Sequence, residues 1–204
     1  MNLLTCTLIE YLKTLGSEEP APGGGSASAL CGAQGAGLCA MVAALTLGRS
    51  RYAQYQDTCA ALLPQAQALQ KQLADQIDLD AQSYGQVAAA FSLPRQTPQE
   101  QAARQAAIED ATAEAARVPM HTLELAVQAL SLAETLSHGF NRNAASDLAV
   151  AVWNLRTCAQ GAWHNVKINV ESLKNRELAE VLETQGLGLL QNAEDLAAAV
   201  LAQL

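Results

Sequence analysis

The sequence predicts an all-α protein: an up-and-down bundle of long helices organised around one buried helix of small residues. Three observations carry that expectation. Apolar residues recur at helical spacing almost from end to end, and no alternating run is long enough to define a strand. Half of the 204 residues are apolar but only 4% are aromatic, so good helix formers such as Ala, Leu and Gln dominate. Proline, glycine and capping residues then divide the chain at intervals that leave short connections, the economical arrangement for a bundle. The length fits one domain, residues 1–204, large enough to bury a substantial core.

The elements follow in order. Leu8, Leu12 and Leu15 mark one face of a short first helix that stops at Gly16. Ser17 to Gly25 is a loop in which two prolines stiffen the approach to three glycines, with Ser26 as the expected N-cap. The second helix runs to about Leu47, with Gly48 as its stop. Gly32, Ala36, Ala40 and Ala44 recur along it every four residues beside Ala29, Ala33 and Gly37, which lets another backbone approach closely. A third helix extends from about Tyr52 to Leu93, where Pro64 is expected to kink or divide it. Thr97-Pro98-Gln99-Glu100 is a capping box with proline at the first helical position. The fourth helix runs from there toward His138-Gly139, with a bend or break expected at Pro119. A fifth covers roughly Asp147 to Asn169, although Val166, Ile168 and Val170 alternate as a strand would. Leu178 to Val200 define the last, weakened in its middle by Gly186 and Gly188.

Composition excludes several functions. A net charge of −8 argues against general nucleic-acid binding. Five cysteines (Cys6, Cys31, Cys39, Cys59 and Cys158) form no CxxC pair, so reduced thiols in the cytoplasm are expected. No basic n-region with an apolar core opens the chain, so no signal peptide is read there. His121, His138 and His164 lack metal-ligand spacing, and no metal is expected. The uncharged stretch from Ala27 to Leu47 has three possible uses: a membrane span, a hinge, or a buried core helix. Its Ala and Gly content, Gln34 and the absent basic flank favour the last, and no membrane partner is expected. The glycine run is neither a Walker loop, lacking Gly-Lys-Ser/Thr, nor a dinucleotide fingerprint, lacking a preceding strand.

Candidate site residues are few. Gly23, Gly24, Gly25 and Ser26 deliver the chain onto a helix start, where free N–H groups and the dipole favour an anion. Asp78 and Asp80 lie two apart and point in nearly opposite directions on a helix, so at most one faces any site. Asp147 at the start of the fifth helix fits either catalysis or dipole compensation, and Asn141, Asn143 and Ser146 add polar groups beside it. Arg49 and Arg51 follow the end of the second helix, where cations are favourable. Asn165 shares a face with Asn169 and with Asp147, but eighteen residues of helix put Asn165 about 27 Å from Asp147. The asparagines therefore belong to a different end of a ligand, to an interface, or to structure.

Pro20 to Tyr52 resembles the signature of the formiminotransferase-cyclodeaminase C-terminal family, which includes bacterial methenyltetrahydrofolate cyclohydrolases. The resemblance continues in order through Ile77–Tyr84, Leu93-Pro94, Thr97–Glu100, Val118-Pro119, Asn141–Asp147 and Asn165–Asn169. It implies a homodimer acting on a tetrahydrofolate derivative, with no cofactor beyond that substrate. The implied reaction is cyclodeamination of 5-formiminotetrahydrofolate to the 5,10-methenyl form with loss of ammonia. The alternatives are hydrolysis of 5,10-methenyltetrahydrofolate to the 10-formyl form, or a non-catalytic folate-binding dimer. Asp80 and Asp147 match the family's aspartates and are the expected catalytic pair. Gly23, Gly24, Gly25, Ser26, Arg49 and Asn141 are the expected substrate-binding set. Arg49 stands where the family carries lysine, and Phe140 where it carries glycine. Arginine preserves the charge for a carboxylate but cannot give up a proton at neutral pH.

Overall fold

The computed structural model describes residues 3–204, and among these six α-helices and two short 3₁₀ segments are found, with no strand. The helices are α1 (Leu8–Leu15), α2 (Gly24–Thr46), α3 (Gln56–Phe91), α4 (Pro98–Ser137), α5 (Ala145–Ser172) and α6 (Arg176–Leu201). Helices α2 to α6 alternate in direction. The α2–α3 seam is fixed by Ser26 against Asp80 and Gly32 against Leu73. The α5–α6 seam pairs Arg156 with Glu194 and Trp163 with Gly186. An all-α bundle of long helices is therefore observed.

Local sequence explains most boundaries. Thr7 and Thr97 each cap a helix, their side chains accepting from Glu10 and Glu100 N–H while those carboxylates return bonds to the cap backbone. Gly48, just past α2, has φ +73°, a left-handed conformation that favours glycine. The chain then makes a 3₁₀ segment from Ser50 to Tyr55, in which Tyr52 is non-helical. The third long helix consequently starts at Gln56 rather than near Tyr52.

Other expectations are corrected. Both Pro64 and Pro119 lie inside continuous helices rather than dividing them. Each removes the N–H owed to a carbonyl four residues earlier. For Pro64 that carbonyl belongs to exposed Ala60, where solvent can serve it. For Pro119 it belongs to Ala115, and there the Asn169 side chain supplies the missing donor across the α4–α5 seam at 3.0 Å. The alternating Val166, Ile168 and Val170 are helical, with Ile168 exposed and the two valines buried. On α1, Leu8 and Leu12 point outward and Tyr11 is the buried residue. The leucine spacing defined a face but not which face the body would cover.

The core runs the length of the bundle. Leu73, Leu123, Leu130, Leu136, Leu148 and Leu155 are fully buried, each worth roughly 1.5–3 kcal/mol on transfer from water. Helix α2 packs against α3 on one side and α5 on the other, with α4 behind. Gly35 permits the α5 contact: a Cβ there would stand 2.6 Å from Leu155 Cγ and 2.8 Å from the Ala151 carbonyl oxygen. Gln34, Met41, Ala44 and Leu45 of the same helix are exposed. By length and composition α2 could cross a membrane, but 56% of its most apolar window is buried within the protein.

Candidate active site

The N-terminal end of α2 gathers several groups that the sequence kept apart. The helix begins at Gly24 with Gly23 as an N-cap that offers no side-chain bond, so two of the three glycines are helical. Ser26 is therefore not the cap. Its hydroxyl reaches across to α3 instead, 2.8 Å from Asp80 Oδ2 and 3.0 Å from the Ile77 carbonyl oxygen. Gly25 makes that approach possible, because any Cβ would collide with the Asp80 carboxyl. Burial pushes the Asp80 pKa above the ordinary carboxylate value, and the bonds from Ser26 oppose that rise. A half-buried carboxyl with a raised pKa and a fixed orientation keeps its proton to higher pH than an ordinary carboxyl, which suits it to proton transfer.

Asp78 turns away from this pair, as the helical geometry requires, and its Oδ1 accepts from Leu3 N–H at 2.7 Å. It lines a cleft of about 620 Å³ with Leu3, Thr14, Glu19, Ala21, Ala81 and Gln82. No cationic side chain among the described residues lines that cleft. An anionic group at this end can use the α2 N-terminus, whose first N–H groups have no side-chain cap.

Asn165 joins this end. It lies on α5 with its Nδ2 3.6 Å from the position a Cβ on Gly24 would occupy, and donates to the Gly161 carbonyl at 2.8 Å. The distance argument from Asp147 sets it aside, correctly for that pair, but its neighbour is Gly24, next to the Gly25 that meets Asp80. No spacing in the sequence could reveal this, because α5 reaches the start of α2 only through packing. Asn169, one turn on, is accounted for by its bond to Ala115.

The other predicted residues lie at the opposite end of α2. Asn141 is buried, donates its backbone N–H to Thr46 Oγ1 at 2.9 Å, and donates through Nδ2 to the Leu45 carbonyl at 3.2 Å. Arg49 Nε donates to the same carbonyl at 2.9 Å. Both side chains thus close the C-terminal end of α2. With Gly48, Ser50, Arg51, Tyr52 and Asn143 they line a cleft of about 450 Å³, and two guanidinium groups make it cationic. Asp147 is half-buried in the first turn of α5. Within one chain it is not brought to Asp80, because Asn165 marks the Asp80 end of α5 and Asp147 lies about 27 Å along that helix. Phe140 is buried at 1% exposure, with the Arg142 guanidinium 4.8 Å from its ring centre. Gly139 beside it lies against the Tyr55 ring, which leaves no room for a Cβ.

Among the described residues, no group of three or more His, Cys, Asp or Glu side chains could hold a metal ion. His121 and His138 contact Glu124 and Glu134 on their own helix, and His164 is exposed.

These features define a class: an all-helical bundle with a desolvated, hydrogen-bonded carboxyl at a glycine-opened helix start and a separate cationic cleft. The formiminotransferase-cyclodeaminase family model matches residues 7–186, and the chain belongs to that family. It is 34% identical over 203 residues to the formimidoyltransferase-cyclodeaminase of Mus musculus, covering 100% of this chain but only 38% of the mouse protein. It is also 34% identical over 187 residues to the methenyltetrahydrofolate cyclohydrolase of Methylorubrum extorquens, covering 92% of this chain and 90% of that one. The crystal structure of formiminotetrahydrofolate cyclodeaminase from Thermotoga maritima superposes with a TM-score of 0.88 at 22% identity, over 98% of this chain and 96% of that chain. This last likeness establishes the shared fold.

Proposed function

We propose that the chain is a tetrahydrofolate one-carbon enzyme, a formiminotetrahydrofolate cyclodeaminase, with Asp80 as its proton-transferring carboxyl. In that reaction N10 bonds to the formimino carbon and gives up its proton. The tetrahedral intermediate then expels its amino group, which takes a proton and leaves as ammonia, and the 5,10-methenyl cation remains. With the formimino group entering as its protonated amidinium, one carboxyl that accepts the N10 proton and returns it to the leaving nitrogen balances the sequence, and its charge stabilises the cationic carbon. The observation carrying this assignment is the Ser26–Asp80 bond beside Gly25, which fixes a carboxyl whose burial has raised its pKa. Gly23, Gly24, Gly25 and Ser26 border the reacting end, and Asn165 joins them there.

Arg49 and Asn141 are assigned to the folate's anionic tail. Asp147 stands near that second end and is retained as the second catalytic carboxyl only in a homodimer that brings it from the partner subunit. Support for such a dimer is the uncharged strip of Gln34, Met41 and Leu45 on α2, continued on α5 by Val150 and Trp153, all exposed. A second copy over that strip would make α2 the buried small-residue centre of the assembly. The whole chain is read as one cytoplasmic domain, with neither nucleic acid nor membrane as partner.

A second reading, methenyltetrahydrofolate cyclohydrolase, is favoured by the match to nearly the whole Methylorubrum enzyme. There water adds to the methenyl carbon and Asp80 takes its proton. Absorbance of 5,10-methenyltetrahydrofolate separates the readings. Its formation from 5-formiminotetrahydrofolate with ammonia release establishes the cyclodeaminase, and its loss faster than in buffer establishes the cyclohydrolase. If neither rate exceeds the uncatalysed one with the folded protein, a non-catalytic folate-binding dimer replaces both.

A further inference from the structure

Among the described residues, one buried side-chain polar atom has no hydrogen-bond partner: the hydroxyl of Tyr11 on α1. The residue is 5% exposed and clusters with Leu3, Ala29 and Ile77. Ala29 lies one helical turn beyond Ser26 on α2, and Ile77 one turn before Asp80 on α3. The Tyr11 ring therefore closes the same α2–α3 seam that carries the Ser26–Asp80 bond, one turn deeper. Burial, then the neighbouring Cys31, Asp80 and Cys6, push the phenol pKa above its ordinary value, so the group stays protonated and is a donor.

A buried phenol without a partner is costly, and a phenyl ring of the same shape would pack there without that cost. Besides Tyr11, helix α1 brings the half-buried Leu15 to the seam, while Leu8, Ile9 and Leu12 all face outward. We infer that Tyr11 is a ligand-recognition residue of the Asp80 site, its hydroxyl donating to a hydrogen-bond acceptor on the heterocycle bound at the α2 N-terminus. This inference rests on the folate reading above. Helix α1 then covers the site, and Tyr11 is the residue through which that cover contacts the ligand.

The test is Tyr11→Phe, which removes one oxygen and keeps the ring. Three quantities are compared with the unmodified protein: Tm without ligand, Kd for 5-formyltetrahydrofolate by calorimetry, and the separate effects on kcat and KM. The expected result is a Tm that is unchanged or raised, a Kd weakened about tenfold and a raised KM with kcat nearly constant. A Phe variant that binds the folate as tightly as the unmodified protein overturns the inference, whatever its Tm. If the unmodified protein itself fails to bind the folate, the folate reading falls and the role of Tyr11 falls with it.

Discussion

Gly25→Ala tests the site more sharply than removing a catalytic group, because it adds one methyl and deletes nothing. The new Cβ would stand 2.5 Å from Asp80 Cγ and 2.8 Å from Oδ2. Carbon atoms in contact settle near 3.5 Å, so the carboxyl must retreat by about 1 Å. That movement breaks the 2.8 Å bond from Ser26 and takes the carboxyl out of register with its substrate. Displacement on this scale costs on the order of 10²-fold in rate. Stability should change far less. Overpacking costs about 1–3 kcal/mol, whereas alanine in a helix gains about 1 kcal/mol over glycine. The net loss is about 0–2 kcal/mol, a fall in Tm of up to about 8 °C for a chain of this size. Turnover followed by methenyl absorbance, beside thermal unfolding, measures both. A Gly25→Ala protein with undiminished kcat/KM would refute the reasoning, because the position of the Asp80 carboxyl would then not matter.

Three further outcomes are expected. Asp80→Asn should lower kcat by at least about 10²-fold with the fold intact. Its stability relative to the unmodified protein should also change with pH. Because burial raises the Asp80 pKa above that of an aspartate in the unfolded chain, the folded protein holds that proton more tightly than the unfolded one. The stabilisation is complete below the unfolded pKa and is lost as pH rises through the folded pKa. The variant should therefore gain on the unmodified protein as pH rises from the ordinary aspartate range through the raised Asp80 pKa, and a constant difference in denaturant unfolding would contradict the assignment. Asn169→Ala should cost about 1–3 kcal/mol by orphaning the Ala115 carbonyl. In a Pro119→Ala background, where a backbone N–H returns, most of that cost should vanish, and an equal cost in both backgrounds would show no coupling. Gly186→Ala should destabilise by about 0–2 kcal/mol net, since its Cβ would lie 2.6 Å from Trp163 Cε3. The near-ultraviolet circular dichroism of Trp163 should change with it.

The sequence by itself determined the class and most boundaries of this fold. Capping at Thr97, the stop at Gly48 and helical apolar spacing are local, and local hydrogen bonding and sterics decide them whatever packs nearby. It also marked Asp80 and the glycines as candidates, because the resemblance rests on ordered blocks that keep their identity along the chain. Contacts between helices were beyond its reach. Ser26 reads as a cap from its residue type, yet in the bundle its hydroxyl bonds Asp80 more than fifty residues away. Pro119 reads as a break, yet Asn169 from another helix supplies the donor that proline lacks. Asn165 reads as remote and lies beside Gly24, while Asp147 and Asp80, both marked by the sequence, stay far apart within one chain. Tyr11 reads as one of several apolar positions on α1 and turns out to be the buried one. The difference has one cause: helical periodicity fixes which residues share a face, but only the packing of one helix against another decides which faces meet.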